Sequence, residues 1–321
     1  MPEMTHTHTA PQGLSVLIPA YNRDCTHLVA TLCRQIDALQ GGSGLTAYAQ
    51  GGESPRCEVI VADDGSTDTA ALTANRQIGK WRHCTYVERG RNVGRAAIRN
   101  ILAAMSAYSH LLFLDCDVEI SKPDFIGSYL AKLNEADVLI GSLRFTDTGG
   151  QYRHNLRYIY ERKFLDSHPV AVRMKRPYAS FRTTNFMARR DVMLSHPFDE
   201  SFTDYGYEDA LFGKCLEQAG VSIMHTDNYV DIADYDSNAT FMEKTEQSLL
   251  TLSAHAAAIG NASKVLSAYA ALERTHLLPT ARLVFAMTKT LIRKGATCSR
   301  PSLLCYAAYK LGFFISIHKS R

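Results

Sequence analysis

Apolar positions along the chain fall into short runs that stop at polar turns. Leu14 to Pro19 (LSVLIP) reads as a buried parallel strand, and Leu28, Leu32, Ile36 and Leu39 then recur at helical spacing behind Asp24 or Thr26 as N-cap. Glu58 to Ala62 is a second strand, running into DDGSTD (Asp63 to Asp68), whose Ser66, Thr67 and Asp68 suit the cap of a following helix. The alternation continues with a strand at Thr85–Glu88, a helix at Gly94–Ala107 and the very apolar strand Leu111–Leu114. A helix at Pro123–Asn134 and a strand at Val138–Phe145 follow. Buried-type strands alternating with helices predict an α/β fold, with a mostly parallel sheet covered on both faces.

Past Thr146 the pattern loosens. Gln151 to Lys163 is basic and aromatic, Arg182 to Ala188 suits a strand, Tyr207 to Ala219 a helix, and Val221 to His225 a short strand. From Thr240 onward only helices are predicted, three or four of them. The expected organisation is a polar tail over 1–13, a catalytic domain over 14–238 and a helical C-terminal region over 239–321. The Gly41–Pro55 stretch, with GGSG and GGESP, reads as an exposed connection.

Charge adds one asymmetry. From Arg274 on there are nine basic residues and no acidic ones, which leaves the remainder of the chain net acidic although the whole carries +3. Interleaved with apolar segments such as LVFAM and YKLGFFISI, these cations suit an interfacial helix on an anionic membrane, with Phe313, Phe314 and Ile315 entering the headgroup boundary. Packing of the same segments onto the catalytic domain is the alternative. The eight cysteines form no C-x-x-C pair and read as reduced core residues, which fits the cytoplasm. No secretory signal precedes Leu14, and His6 and His8 read as part of a frayed tail. Nothing in the sequence points to nucleic acid.

Candidate chemistry clusters where the strands end. Tyr21–Asn22, Asp63–Asp64 and Asp115–Asp117 all fall at carboxyl ends of predicted strands, which is where doubly wound sheets bind ligands. Asp115 and Asp117 are two apart, so both face one side while Cys116 faces away, and paired hard oxygens suit Mg²⁺ or Mn²⁺ with substrate phosphates completing the shell. A second such pair, Asp234 and Asp236, reads as a solvated loop. Asp63 and Asp64 suit a ribose or base edge, or simply cap a turn. Arg95 and Arg99, one helical turn apart, suit a diphosphate or lock onto the acidic strand ends. Glu208 and Asp209 open a helix, a place equally ordinary for dipole-complementing acids and for a general base.

The order PAYN (19–22), DDGSTD (63–68), N-x-G-x-x-x-x-R-N (92–100), LFLDCD (112–117) and FDESFTDYGYED (198–209) resembles the family 2 glycosyltransferases. PYASFRTTNF (177–186) and GYEDALFGKCLEQAG (206–220) resemble a bacterial branch that builds surface polysaccharides. The resemblance implies a GT-A fold and inverting transfer from a nucleotide-diphospho-sugar, with uridine as the default nucleotide, to a glycan or lipid-linked acceptor. It implies that Pro19, Tyr21, Asp63 and Asp64 line the nucleotide pocket and that Arg95 and Arg99 lie on the phosphate side. Asp115 would lie near the ribose, Asp117 would hold Mn²⁺ or Mg²⁺, and Asn185 would border the donor sugar. Asp209 would be the base, with Glu208 beside it on the acceptor. Many relatives carry a histidine soon after the acidic helix; here His225 or Asp231 would substitute, or Asp117 and the phosphates would suffice. A nucleotidyltransferase of related fold would instead begin G-x-G-x-R after the first strand, and a non-catalytic scaffold would not need intact Asp117 and Asp209.

Overall fold

The computed structural model describes residues 10–41, 55–164, 168–260 and 263–318. His6, His8, most of the 41–55 connection, Lys319 and Arg321 lie outside them. β1 (Leu14–Ala20), α1 (Thr26–Gln40), β2 (Cys57–Asp63), α2 (Thr69–Asn75), β3 (Cys84–Glu88), α3 (Arg95–Met105), β4 (His110–Leu114), α4 (Phe125–Leu130) and β5 (Val138–Phe145) alternate as the apolar pattern predicts. Next come α5 (Leu156–Lys163), α6 (Val170–Arg173), β6 (Asn185–Arg189), α7 (Arg190–Ser195), α8 (Glu208–Gln218) and β7 (Ile223–Ile232). The chain continues through α9 (Asn238–Ala254), α10 (Ala256–Ile259), α11 (Lys264–Arg274), α12 (Leu278–Thr297) and α13 (Leu303–Ile317). The last region thus holds one short turn, α10, beyond the expected three or four helices.

Among the described residues the sheet has seven strands in the order β3-β2-β1-β4-β6-β5-β7. Its neighbours are parallel except where β6 runs against β4 and β5. Period-two alternation divides the strand side chains between two cores. Val16, Ile18, Val59, Val61, Leu112 and Leu114 pack under α1 and α4, whereas Leu17, Ile60, Leu111, Phe113 and Phe186 pack under α3 and α8. Both faces are covered, so the strands are apolar almost without interruption. Register aligns Ala20 with Asp63, and antiparallel β6 begins at Asn185 opposite Leu114. The ends of β1, β2 and β4 and the start of β6 therefore meet along one edge.

β7 is longer than the predicted 221–225 strand. It continues through Asp227–Ile232 as the partner of β5, across a register shift between Ile140 and Ser142. Polar residues in that stretch masked the strand. The acids expected in a solvated loop do follow β7, but both are paired: Asp234 with Arg23 at 2.8 Å and Asp236 with Lys244 at 2.7 Å.

The C-terminal helices pack on the sheet domain through two further clusters. Phe202 and Leu211 meet Leu249, Leu252, Tyr269, Phe314 and Ile315, while Leu156 meets Met242, Phe285, Tyr306 and Tyr309. Phe314 and Ile315 are buried there, so they are not available to a headgroup boundary, and the packing alternative holds for them. α12 and α13 approach so closely that a Cβ on Gly312 would stand 2.1 Å from Phe285 Cδ2. Gly312→Ala should therefore lower stability by about 1–3 kcal/mol through overpacking. Urea unfolding with an unchanged midpoint would show that the helices separate at no cost.

Candidate active site

Three loops at the shared edge are stapled by the motifs found in the sequence. Asn22, at φ 50, accepts from the backbone N–H of Thr67 at 2.7 Å and of Asp68 at 2.9 Å, joining the loops after β1 and β2. Asp63 accepts from Ser66 N–H at 2.8 Å and its hydroxyl at 2.5 Å. Asp64 accepts from Val93 N–H at 2.9 Å and Gly94 N–H at 3.1 Å, which ties β2 to the start of α3. Burial raises the Asp64 pKa against those two hydrogen bonds. Both carboxylates hold loops together, as the capping reading has them. Asp68 caps α2 through Ala70 and Ala71 N–H. Tyr21 stands exposed and Pro19 half-buried above the same edge.

Arg99 organises the next layer. Its side chain is only 2% exposed; Nη2 donates to Asp115 Oδ1 at 2.8 Å, and Nη1 lies 3.6 Å from Glu208 Oε1. The guanidinium carbon sits 5.8 Å from the Phe198 ring centre. Burial works against the Asp115 charge, but Arg99 and Arg95 outweigh it and lower its pKa. Arg99 is consequently committed to acids of its own chain, the other of the two roles its spacing allowed. Glu208 is likewise turned inward, because adjacent residues at a helix start point about 100° apart. It is buried against Arg99.

Arg95, one turn earlier, is exposed and stacks over Tyr205 at 4.7 Å. Burial would lower its pKa, yet Asp115, Tyr205, Glu208 and Asp117 together raise it. Asp117 opens to solvent beyond Asp115, and Cys116 between them turns to Cys25. Surrounding protein and then the Asp115 charge raise the Asp117 pKa, more than Arg157 and Arg95 lower it. Asp209 is half-buried, accepts from Ala210 N–H at 2.7 Å, and is pushed up to about 6 by burial and by Glu208. The loop presenting it needs a left-handed pair, Gly206 at φ 98 and Tyr207 at φ 68; a Cβ on Gly206 would meet Ser248 Cβ at 2.7 Å.

Three expected ligand contacts are not made available. His225 has both ring nitrogens engaged, Nδ1 at 2.7 Å from Arg173 Nη1 and Nε2 at 2.9 Å from the Pro177 carbonyl. Its pKa is pushed down to about 4 by burial, and its role is to fasten β7 to α6. Asp231 is taken by Arg144 at 2.5 Å and Ser121 at 2.5 Å. Asn185 is a buried cross-sheet staple: it donates to the Ser142 and Asn228 carbonyls at 3.2 and 2.9 Å and accepts from Tyr129 at 2.7 Å. Conversely, Arg157 and Arg182, whose charges act on Asp117 and Asp209, received no role from the sequence. The basic and aromatic run at 151–163 and PYASFRTTNF were their only signal.

Among the described residues no three side chains converge as a protein-built metal site. A single solvent-facing carboxylate with a raised pKa, next to a second acid, nevertheless fits Mn²⁺ or Mg²⁺. Such ions often take one or two carboxylates and complete their shell with substrate phosphates.

Residues 15–196 match the family model described as Glycosyl transferase family 2. In an alignment 245 residues long that covers 65% of this chain, the sequence is 27% identical to chondroitin synthase of Escherichia coli. The match covers 32% of that protein, so the chain spans about a third of the length of this curated relative. Mannosyltransferase PcManGT from Pyrobaculum calidifontis, solved with GDP-Man and Mn²⁺, superposes with a TM-score of 0.54 at 17% identity, covering 96% of this chain and 86% of that one. S. aureus TarS 1-349 gives 0.51 at 18% identity, covering 95% and 89%. At these identities the two structures attest the fold, here a GT-A-like sheet with C-terminal helices.

The Arg99 bridge yields a stability prediction. Arg99→Met leaves buried Glu208 and half-buried Asp115 without their cation and should cost about 3–5 kcal/mol. Because Arg99 lowers the Asp115 pKa, that contribution is present above the ordinary carboxylate range and is lost as pH falls through the folded value. The deficit of the variant, read by denaturant unfolding, should therefore shrink in acid. A deficit independent of pH would separate Arg99 from the two acids.

Proposed function

Since this chain belongs to glycosyl transferase family 2, we propose that it moves a sugar, with inversion, from a nucleotide-diphospho-sugar to a hydroxyl of a glycan or lipid-linked acceptor in bacterial polysaccharide synthesis. The observation that carries the mechanism is Asp209, a half-buried carboxylate pushed up to about 6 at the mouth of the edge where β4 ends. A base with that pKa is largely ionised at neutral pH and still holds a proton well enough to take one from an attacking hydroxyl. Arg95 is the exposed cation set among Asp115, Glu208 and Asp117, and it meets the diphosphate. Pro19 and Tyr21 flank the nucleotide, which uridine fits by default, and the Asp63 and Asp64 staples hold the loops that shape its pocket. Asp117, with Asp115 behind it, would hold Mn²⁺ or Mg²⁺, which would stabilise the charge of the departing nucleoside diphosphate.

Two measurements test this. Asp209→Asn should slow transfer by about 10²–10⁴-fold while donor binding survives, and wild-type kcat/KM should fall about tenfold per pH unit below the Asp209 pKa. Asp117→Ala should abolish Mn²⁺-dependent binding of UDP-, GDP- and dTDP-sugars in calorimetry. Full activity in the first variant, or unchanged affinity in the second, overturns the corresponding assignment.

We also propose that the protein works on the cytoplasmic face of a membrane, through α12. Among the described residues no helix is long and apolar enough to cross a membrane. Leu283, Met287 and Leu291, four residues apart, are 63%, 80% and 73% exposed on one stripe of α12, with exposed Lys294 continuing it. Apolar side chains beside cations suit the boundary of an anionic bilayer. The full-length protein should sediment with anionic but not neutral liposomes, and Leu283→Ser/Met287→Ser/Leu291→Ser should remain in solution. Wild-type protein that ignores anionic vesicles at low salt, or self-associates through the stripe instead, ends this reading.

A further inference from the structure

A second cluster lies within electrostatic reach of Asp209. Lys310 of α13 is half-buried, its Nζ 4.9 Å from the Tyr160 ring centre and 4.6 Å from that of Tyr306. The two rings meet edge to face at 5.4 Å, and Tyr160 packs on Phe164 at 5.0 Å, over which Lys264 lies at 5.8 Å. Arg182 is exposed and approaches Glu161 at 3.8 Å, and the same carboxylate is shared with His168 at 3.7 Å. Lys310, Lys264 and Arg182 thus stand around one already divided acid, and the wall they form carries excess positive charge.

The wall lies within electrostatic reach of the candidate base. Arg182 acts electrostatically on Asp209, and Tyr207, the residue before Glu208, interacts with both Asp209 and Tyr160. Burial and the neighbouring Lys264 lower the Lys310 pKa, while Glu161 only partly offsets them. An incoming anion would relieve that cost. Half-buried Tyr160 offers part of its ring to a sugar, while Tyr306 is buried behind it, and cations at the rim select the sugar's charge.

On the reading that Asp209 is the base of a glycosyl transfer, we propose that this wall binds the acceptor and selects one bearing an anionic group, a carboxylate or a phosphate, next to its reacting hydroxyl. Lys310 supplies the main contact, Arg182 a second, and α13 thereby joins the acceptor site although it lies far along the chain from the sheet.

The test uses the full chain and three oligosaccharide probes of one backbone: one ending in glucuronate, its carboxyl-reduced glucose counterpart, and that counterpart carrying a 6-phosphate. Binding is read by ligand-observed NMR. At least one anionic probe should bind about tenfold more tightly than the neutral one, the order of a charge-assisted contact. Lys310→Met should erase the preference, and Lys310→Arg should keep it. A preference for glucuronate assigns an acidic sugar; a preference for phosphate assigns a phosphorylated or lipid-phosphate acceptor. Equal binding of all three probes, or a preference that survives Lys310→Met, overturns the proposal. Hydrolysis of donor by the wild-type protein without acceptor tests the transferase reading separately.

Discussion

One buried guanidinium holds the candidate active site in shape. Arg99 reaches from α3 to the end of β4 through Asp115 and to the first turn of α8 through Glu208. A charge so deeply enclosed is tolerated only with compensating partners, so the sheet edge and the helix that presents Asp209 are locked to a common point. The neighbouring acids acquire different characters from this arrangement. Asp115, in contact with the cation, is driven toward ionisation, whereas Asp117 and Asp209, farther from it and beside other acids, are driven toward the proton. One residue type therefore serves as an ionised strut in one place and as a carboxylate held toward its protonated form in the others.

The strand ends were legible from sequence because the apolar runs stop abruptly and the polar residues after them have no core face to occupy. Asp117 belongs to that legible set in position, and Asp209 was legible as one of two acids opening a helix. What the sequence withheld was the direction of each side chain. Asp63, Asp64, Arg99, Glu208 and Asn185 sit where the motifs put them, but the structure turns them to loops, partner acids and carbonyls. Sequence spacing gives neighbourhood, and only tertiary packing decides which neighbour a side chain meets. His225 shows the same limit, since α6, whose Arg173 engages it, left no readable periodic pattern.

Two features escaped for a different reason. The second half of β7 has polar side chains that mimic a loop, and its partner β5 becomes available only after the sheet is assembled. The C-terminal helices are apolar on several faces, which does not distinguish burial from an interfacial role. The structure divides them: α13 turns Phe314 and Ile315 inward, while α12 leaves a stripe of leucine and methionine outside.

The close fit of Gly206 against Ser248 links the loop before Asp209 to α9 with no room for a methyl group. Residues beyond the family-matched 15–196 segment thereby act as a jig for the most chemically informative carboxylate in the chain. Drift in those helices among relatives would be transmitted to the geometry of that carboxylate, whereas drift on the far side of β3 would not. The loop that presents Asp209 and the helical cap are thus coupled at one backbone crossing, and a graft of either onto a distant homologue has to carry both halves of that crossing.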